Sequence, residues 1–348
     1  MAPASLCESN FERVASLSCS FFWDFERIDN TLSVSRRTLI AFSPLALLAC
    51  GCSPNSSSPS STQFQRTAAQ ALVNNTTGNA RRSRDNARDL RDEADKLLAA
   101  QNYDGAMDKR LQILAQRSRG VSLLSTLSAY ATQGLAIADI ETVASHLDAA
   151  SCRTYAEQLK SIDTQKPTFS AILEANKDDE LDELDRITRT PREWQETVDD
   201  LKFSAQERAT LRPLSPAQLE TNISNAYATL GKWAEQPYSS TPPTISGDPY
   251  TQKFSLPPML PLSRFLWTKA KAERLLTIVA LQQRADRLES KPRTWTLPTD
   301  PFGTGPFKEK SGVIYSIGPD ATDDGGKSVP QPKRIQISDT GDILAPTF

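Results

Sequence analysis

Seven prolines fall between Pro237 and Pro261, a density that no regular element tolerates, so the chain divides there into two parts. Upstream the apolar residues recur every three or four positions. Beyond Pro298 they alternate. This change of period predicts a mainly α fold in which a helical domain over residues 64–236 leads through a Pro-rich connector, 237–263, into a small α+β module over 264–348. Within the connector Phe254, Leu256, Met259 and Leu260 need burial, which favours a strap laid across the helical body over a free linker.

The helical part has readable local chemistry. Charges of both signs alternate through Arg81-Arg82-Ser83-Arg84-Asp85, Arg88-Asp89 and Arg91-Asp92-Glu93, as on a solvated, ion-paired helix face. The interleaved acids argue against a basic patch for phosphates. Leu97, Leu98, Tyr103, Ala106 and Met107 surround Asn102 and Gly105, the pattern of two helices meeting at a tight turn. It resembles the inner turn of a tetratricopeptide repeat, but no second copy follows at the required period of about 34 residues, so a single helical hairpin is expected. Leu124, Leu127, Ala131, Leu135 and Ala138 form one stripe, widened by Leu123, Tyr130 and Ile137, which implies a central helix packed on more than one side. Gly134 on its edge would admit a close neighbour. His146 is the only histidine and is expected at the surface or at a helix end. The acidic run from Lys177 to Glu183 reads as a solvated face. Thr190-Pro191-Arg192-Glu193 and Ser215-Pro216-Ala217-Gln218 read as helix starts, each with a capping hydroxyl, proline in the first turn and a Glu or Gln three residues on.

In the terminal module Leu275, Ile278, Leu281, Ala285 and Leu288 mark an amphipathic helix from about Phe265, with Glu273, Arg274, Gln283, Arg284 and Arg287 away from the stripe. Val313, Tyr315 and Ile317 predict one strand, and Ile335 and Ile337 another. Gly305 to Lys310 is expected to pair with Val313 to Ile317 across a turn at Ser311-Gly312, forming a short antiparallel sheet.

Residues 35–50 carry an address. Ser35-Arg36-Arg37 followed by Leu39 and Ile40 resembles a twin-arginine export motif, and the apolar run to Ala49 is too short to span a bilayer. Leu47-Leu48-Ala49-Cys50 resembles a lipobox, with lipid expected on Cys50 and Cys52 as a competing acceptor. Residues 51–63 are a Ser- and Pro-rich tether, unable to bury themselves. A short buried helix that happens to carry two cysteines is the alternative. Residues 1–34 show no clear period and sit awkwardly before such a signal, so translation is expected to start at Leu32 or Val34. The chain is thus expected in the cell envelope, facing the periplasm or exterior and bound to the membrane through an N-terminal lipid. With Cys50 lipidated, Cys52 and Cys152 remain, and two unpaired thiols are expected. Lys+Arg number 40 against 42 Asp+Glu, which gives no general field to attract nucleic acid.

Asp300-Pro301-Phe302-Gly303, Tyr315 to Asp320, Asp323-Asp324-Gly325-Gly326 and Asp339 to Ile343 together resemble the C-terminal half of major pseudopilins of type II secretion. The resemblance implies a long helix packed on a small sheet whose terminal loop binds calcium. The same ending after a helical region is similar to a group of envelope proteins from planctomycete-type bacteria, a likeness that brings no activity. Pseudopilins need an N-terminal hydrophobic helix with a prepilin cleavage site, and here a lipoprotein signal stands in its place. The fold of the small module is therefore carried over and pilus assembly is not.

Enzyme signatures are missing: there is no Gly-x-Ser-x-Gly, no His-Glu-x-x-His and no histidine pair for a catalytic metal. Gly325-Gly326-Lys327-Ser328 mimics the end of a P-loop, but Ala321 stands where the first glycine belongs and three aspartates would repel phosphate. Calcium is a better expectation for this loop. Asp320, Thr322 and Asp324 occupy the first, third and fifth positions before Gly325, as in half of an EF-hand loop. By the pseudopilin resemblance, Asp339 and Asp342 would return over the loop to complete the site. The plain alternative is that Asp and Gly simply favour turns. Two functions stay open: a lipid-anchored structural or interaction protein with an envelope protein as partner, and an envelope hydrolase acting through helix-borne carboxylates. A deep cleft lined by carboxyls of raised pKa would favour the hydrolase.

Overall fold

The computed structural model describes residues 82–116, 123–200, 203–254, 260–330 and 335–348. Arg36, Arg37, Cys50, Cys52, the tether and the expected helix start at Phe64 lie outside the described residues, as do the side chains of the stripe Leu124, Leu127, Ala131, Leu135 and Ala138.

Helix α1 (82–99) and α2 (Tyr103–Ala115) form the expected hairpin. Gln101 at φ 58° ends the first helix, and the Asn102 carboxamide accepts from the Gly105 amide at 3.0 Å to start the second. A Cβ on Gly105 would lie 2.9 Å from that carboxamide, which explains the glycine. The charged face of α1 reaches its neighbours: Lys109 pairs with Glu93 at 2.6 Å, and Asp139 takes both Arg91 and Arg110.

Then follow α3 (Leu123–Ala144), α4 (Ala149–Thr164), α5 (Phe169–Ile187), α6 (Pro191–Asp200), α7 (Ala205–Leu211) and α8 (Pro216–Glu235). Their starts are chemically specified. Asp148 caps α4 and Thr168 caps α5. Both expected capping boxes form, with Thr190 and Glu193 exchanging amide bonds at 3.0 and 3.1 Å and Ser215 and Gln218 at 2.9 and 3.3 Å. Gly134 meets no neighbour, since a Cβ there would have nothing within 4 Å. His146 is exposed just past α3 and stacks on Tyr103 at 4.3 Å.

The connector is not wholly irregular. It contains α9 (Pro249–Phe254), whose proline occupies the first turn where no amide is needed, while Asp248 caps it by accepting from the Thr251 amide and hydroxyl at 3.0 and 2.7 Å. Tyr238 is buried, and Ile245 packs against the helical core. Leu260 is buried as expected, at the start of the 29-residue helix α10 (Leu260–Leu288).

Three apolar clusters build the interior, and α10 belongs to all of them. Ala270 joins the core of α5 to α9; Ile278, Leu281 and Ala285 join that of α1 to α4; Phe265, Ala272, Leu276 and Val279 join that of the terminal module. The expectation of an amphipathic helix is therefore corrected. Arg274, placed on the solvated side by its spacing, is 1% exposed and pairs with Asp163 at 2.8 Å, while Leu288 from the apolar stripe is 51% exposed. A helix covered on three sides has no polar face to show, and a buried arginine there must find its own partner. Among the described residues no helix is long and apolar enough to cross a membrane.

The sheet is three-stranded and antiparallel in the order β1 (Lys308–Lys310), β2 (Val313–Ser316), β3 (Ile343–Leu344). Lys308 faces Tyr315 and Lys310 faces Val313, across a turn in which Ser311 and Gly312 have φ 53° and 79°. Two positive φ values are what a two-residue hairpin of matching twist requires. Ile335 and Ile337 do not form a strand. Ile335 is buried and Ile337 packs against the same core from an irregular segment, so apolar spacing reflects burial without a ladder. The third strand comes instead from Ile343 and Leu344.

Candidate functional site

Two buried carboxylates organise the terminal module. Asp300, 2% exposed, accepts from the Phe302 amide (2.9 Å), the Ser316 hydroxyl (2.7 Å) and the Ile317 amide (2.8 Å). Burial pushes its carboxyl above the usual range, and these hydrogen bonds work against that rise. The Asp-Pro-Phe-Gly motif thus ties the chain leaving α10 to the end of β2.

Asp342 does the same for the acidic loop. It is fully buried and accepts from the amides of Gly326 (2.7 Å), Lys327 (3.2 Å) and Asp324 (3.4 Å). Its carboxyl is also raised by burial, against the pull of the Gly326 and Asp324 amides. The amides of Gly326 and Lys327 belong to the P-loop-like run. Where a phosphate would sit in such a nest, this chain inserts its own carboxylate. Gly325 and Gly326 make that possible by taking φ 71° and 83°.

The other expected ligands separate into two groups. Asp320 stays at the loop, accepting from the Thr322 amide at 3.2 Å and the Gly341 amide at 3.4 Å, and Asp324 contributes its backbone amide to Asp342. The Thr322 hydroxyl turns back to the Asp320 carbonyl at 3.3 Å. Asp339 points elsewhere. Its carboxylate accepts from the Gln336 amide at 2.7 Å, closing a local turn and not returning over the loop. Asp323, outside the expected set, accepts from the Tyr315 hydroxyl and the Gly325 amide, both at 3.0 Å, and the Gly325 bond foremost holds its carboxyl below the usual range. Tyr315 is pushed up to about 12, by burial first and then by Asp323. Among the described residues no three carboxylate, thiol or imidazole groups are spaced to hold a metal ion. As folded, the loop is held by these backbone amides.

The helical body holds a second polar group that periodicity alone did not mark. Asn176 donates to the Tyr227 hydroxyl at 2.5 Å, and that hydroxyl donates to Glu180 at 2.8 Å. Burial raises Tyr227, as it raises Asp179 beside Asp178 and Asp182. The only advance signal was a tyrosine among the apolar positions of α8, whose hydroxyl needs a partner when buried. Cys152 is a free thiol buried in α4, raised by desolvation.

Two open clefts lie away from these groups. One of about 250 Å³ is bounded by Asp286, Trp295, Arg293 and Glu309 at the end of α10. Another of about 410 Å³ runs between α2 and α4, over Leu111, Ala115 and Ile162. Asp179, Asp300 and Asp342, the carboxyls raised by burial, line neither. Compared with protein-family models, with curated proteins and with solved structures, the chain matches none.

Proposed function

We propose that this chain is a lipid-anchored bacterial envelope protein of structural or interaction type, exported through Arg36 and Arg37, held by lipid on Cys50 and working with another envelope protein. The observation that carries the anchor is linear order: paired arginines, a short apolar run, a lipobox cysteine and a polar tether arrive in the sequence that export and lipidation require. The preference for interaction over hydrolysis is supported by the two open clefts, neither of which is lined by a carboxyl raised by burial, since a general acid must reach its substrate. The long helix packed on a three-stranded antiparallel sheet supports a pseudopilin-like reading of the terminal module, as a fold and not as a filament subunit.

Fractionation of cells tests the anchor. Cys50→Ala is expected to move the protein from membranes to the soluble fraction, whereas Cys52→Ala leaves it in place, because only Cys50 follows the Leu-x-Ala context. Release by Cys52→Ala alone would move the anchor to that residue, and retention of both variants would remove the lipid reading.

A further inference from the structure

The two clefts differ in what their walls leave unused. At the end of α10 the lining acids are engaged, Asp286 with Arg153 and Trp295 and Glu309 with Arg293. The larger groove, between α2 and α4, is built otherwise. Its apolar floor is Leu111 and Ala115 of α2 with Ile162 of α4, and Asp108, Gln112 and Gln158 stand exposed beside it. Asp108, Leu111, Gln112 and Ala115 share one face of α2 at steps of three and four residues, and Gln158 and Ile162 share one of α4.

Among the described residues neither Gln112 nor Gln158 has a hydrogen-bond partner. The two helices also leave charge over. Their basic residues all have acidic partners: Lys109 with Glu93, Arg110 with Asp95, Arg153 with Asp286 and Lys160 with Glu157. Of their acids, Asp163 goes to Arg274, whereas Asp104 and Asp108 meet no cation among the described residues. Both approach the Tyr155 hydroxyl, which donates to Asp104 at 3.1 Å and is raised by burial first and then by the two carboxylates. The uncompensated acids thus stand together where α2 begins.

We propose that this groove holds a short basic segment of the envelope protein with which this chain works, a lysine or arginine against Asp104 and Asp108 and an aliphatic side chain on the Leu111, Ala115 and Ile162 floor. The inference deepens the interaction reading and rests on it. Three features fix the occupant. From Asp108 to Ala115 the groove runs about 10 Å along α2, the length of about three extended residues. The free carboxamides on its two walls each offer a donor and an acceptor, which match one N–H and one C=O of a main chain. Carboxylates without a cation at the rim attract and orient a basic side chain.

Fluorescence anisotropy of labelled peptides with residues 51–348 tests this; all three cores are built from Ala87 onward, so this chain keeps the whole described fold. An amidated pentapeptide of alternating lysine and leucine is expected to bind saturably, and its counterparts of glutamate with leucine and of lysine with serine to fail. Binding should weaken as salt rises to about 0.5 M. Asp104→Asn with Asp108→Asn should weaken it about fivefold or more. Ala115→Arg, at an exposed position, should abolish it at an unchanged Tm, by filling the floor and adding a like charge. Asp185→Asn, exposed on α5, should leave it unchanged. No binding at low salt, equal binding of the serine peptide, or indifference to the Asp104 and Asp108 substitutions would overturn the proposal. So would a concentration-dependent dimer that Ala115→Arg dissociates, which makes a second copy the occupant, or binding that appears only when residues 51–81 are removed, which makes the chain's own segment the occupant. The peptide assay reads the groove without lipid and the Cys50→Ala fractionation reads the anchor without the groove, so failure of one is distinguishable from failure of the other.

Discussion

Asp342 combines full burial with three amide donors, and its raised carboxyl makes a signed prediction. A carboxyl raised in the folded state binds its proton more tightly there than in the unfolded chain. Its linked stability is complete below the ordinary value near 3.8 and is lost as pH rises through the folded value. Asp342→Asn cannot titrate. Urea denaturation of wild type and Asp342→Asn is therefore expected to show the wild type gaining on the variant as pH falls from neutral towards the ordinary value near 3.8. A difference that stays constant across that range would refute it. Calcium at this loop is a separate proposal at the same scale. Asp320 and Asp342 each hold one amide at the long distance of 3.4 Å, contacts that a hard cation could replace while relieving repulsion among the aspartates. Millimolar calcium is then expected to raise the Tm of residues 51–348, and Asp320→Ala with Asp324→Ala to abolish the rise. Identical melting curves in calcium and in chelator would leave the turn held by its amides alone.

Between elements, Arg264 of α10 makes a charged contact to the end of α8. Its guanidinium donates to the Gln236 carbonyl at 2.6 Å, at the C-terminal end of α8, and lies 4.6 Å from the Trp233 ring centre and 5.6 Å from that of Phe169. Burial lowers its pKa to about 10, yet it stays cationic at neutral pH, facing the negative end of the α8 dipole. The same contact joins the two sides of the proline-rich connector. A charged hydrogen bond of this kind and two aromatic faces are together worth about 3 kcal/mol, so Arg264→Ala should lower unfolding stability by about that amount. Arg264→Lys should recover only part of it, because an ammonium cannot lie flat on the Trp233 ring while reaching the carbonyl. Denaturant midpoints at unchanged m-value would measure both, and a loss below about 0.5 kcal/mol would show the contact to be incidental.

For the whole molecule the proposed export to the envelope makes the decisive prediction. A twin-arginine route requires both guanidinium groups, so Arg36→Lys with Arg37→Lys is expected to hold the unprocessed chain inside the cell, detectable as a larger, unlipidated band. Export at the normal level would point to the general secretory route. In the proposed reading export and lipidation act on the linear segment 35–50, whereas the three clusters that meet on α10 bind the terminal module to the helical body. Substitutions in one are therefore expected to leave the other intact.

Sequence alone specified what depends on neighbours a few residues apart. The capping pairs Thr190–Glu193 and Ser215–Gln218, the Asn102–Gly105 turn and the Ser311-Gly312 hairpin are all read from local spacing, because each bond closes within three or four residues. The expected division into a helical body and a small sheet was legible for the same reason, since periods of 3.6 and 2 are local properties. Tertiary structure decided the rest. It buried Arg274, exposed Leu288, kept Ile335 and Ile337 out of the sheet, and sent Asp342 into the glycine-rich turn while leaving Asp339 with Gln336. The burial of Arg274 and the path of Asp342 turn on partners outside their own segments: Asp163 lies 111 residues from Arg274, and Gly326 lies 16 from Asp342. A helix buried on three sides and a carboxylate held by distant amides leave no periodic trace, because the groups that satisfy them are brought near only by folding.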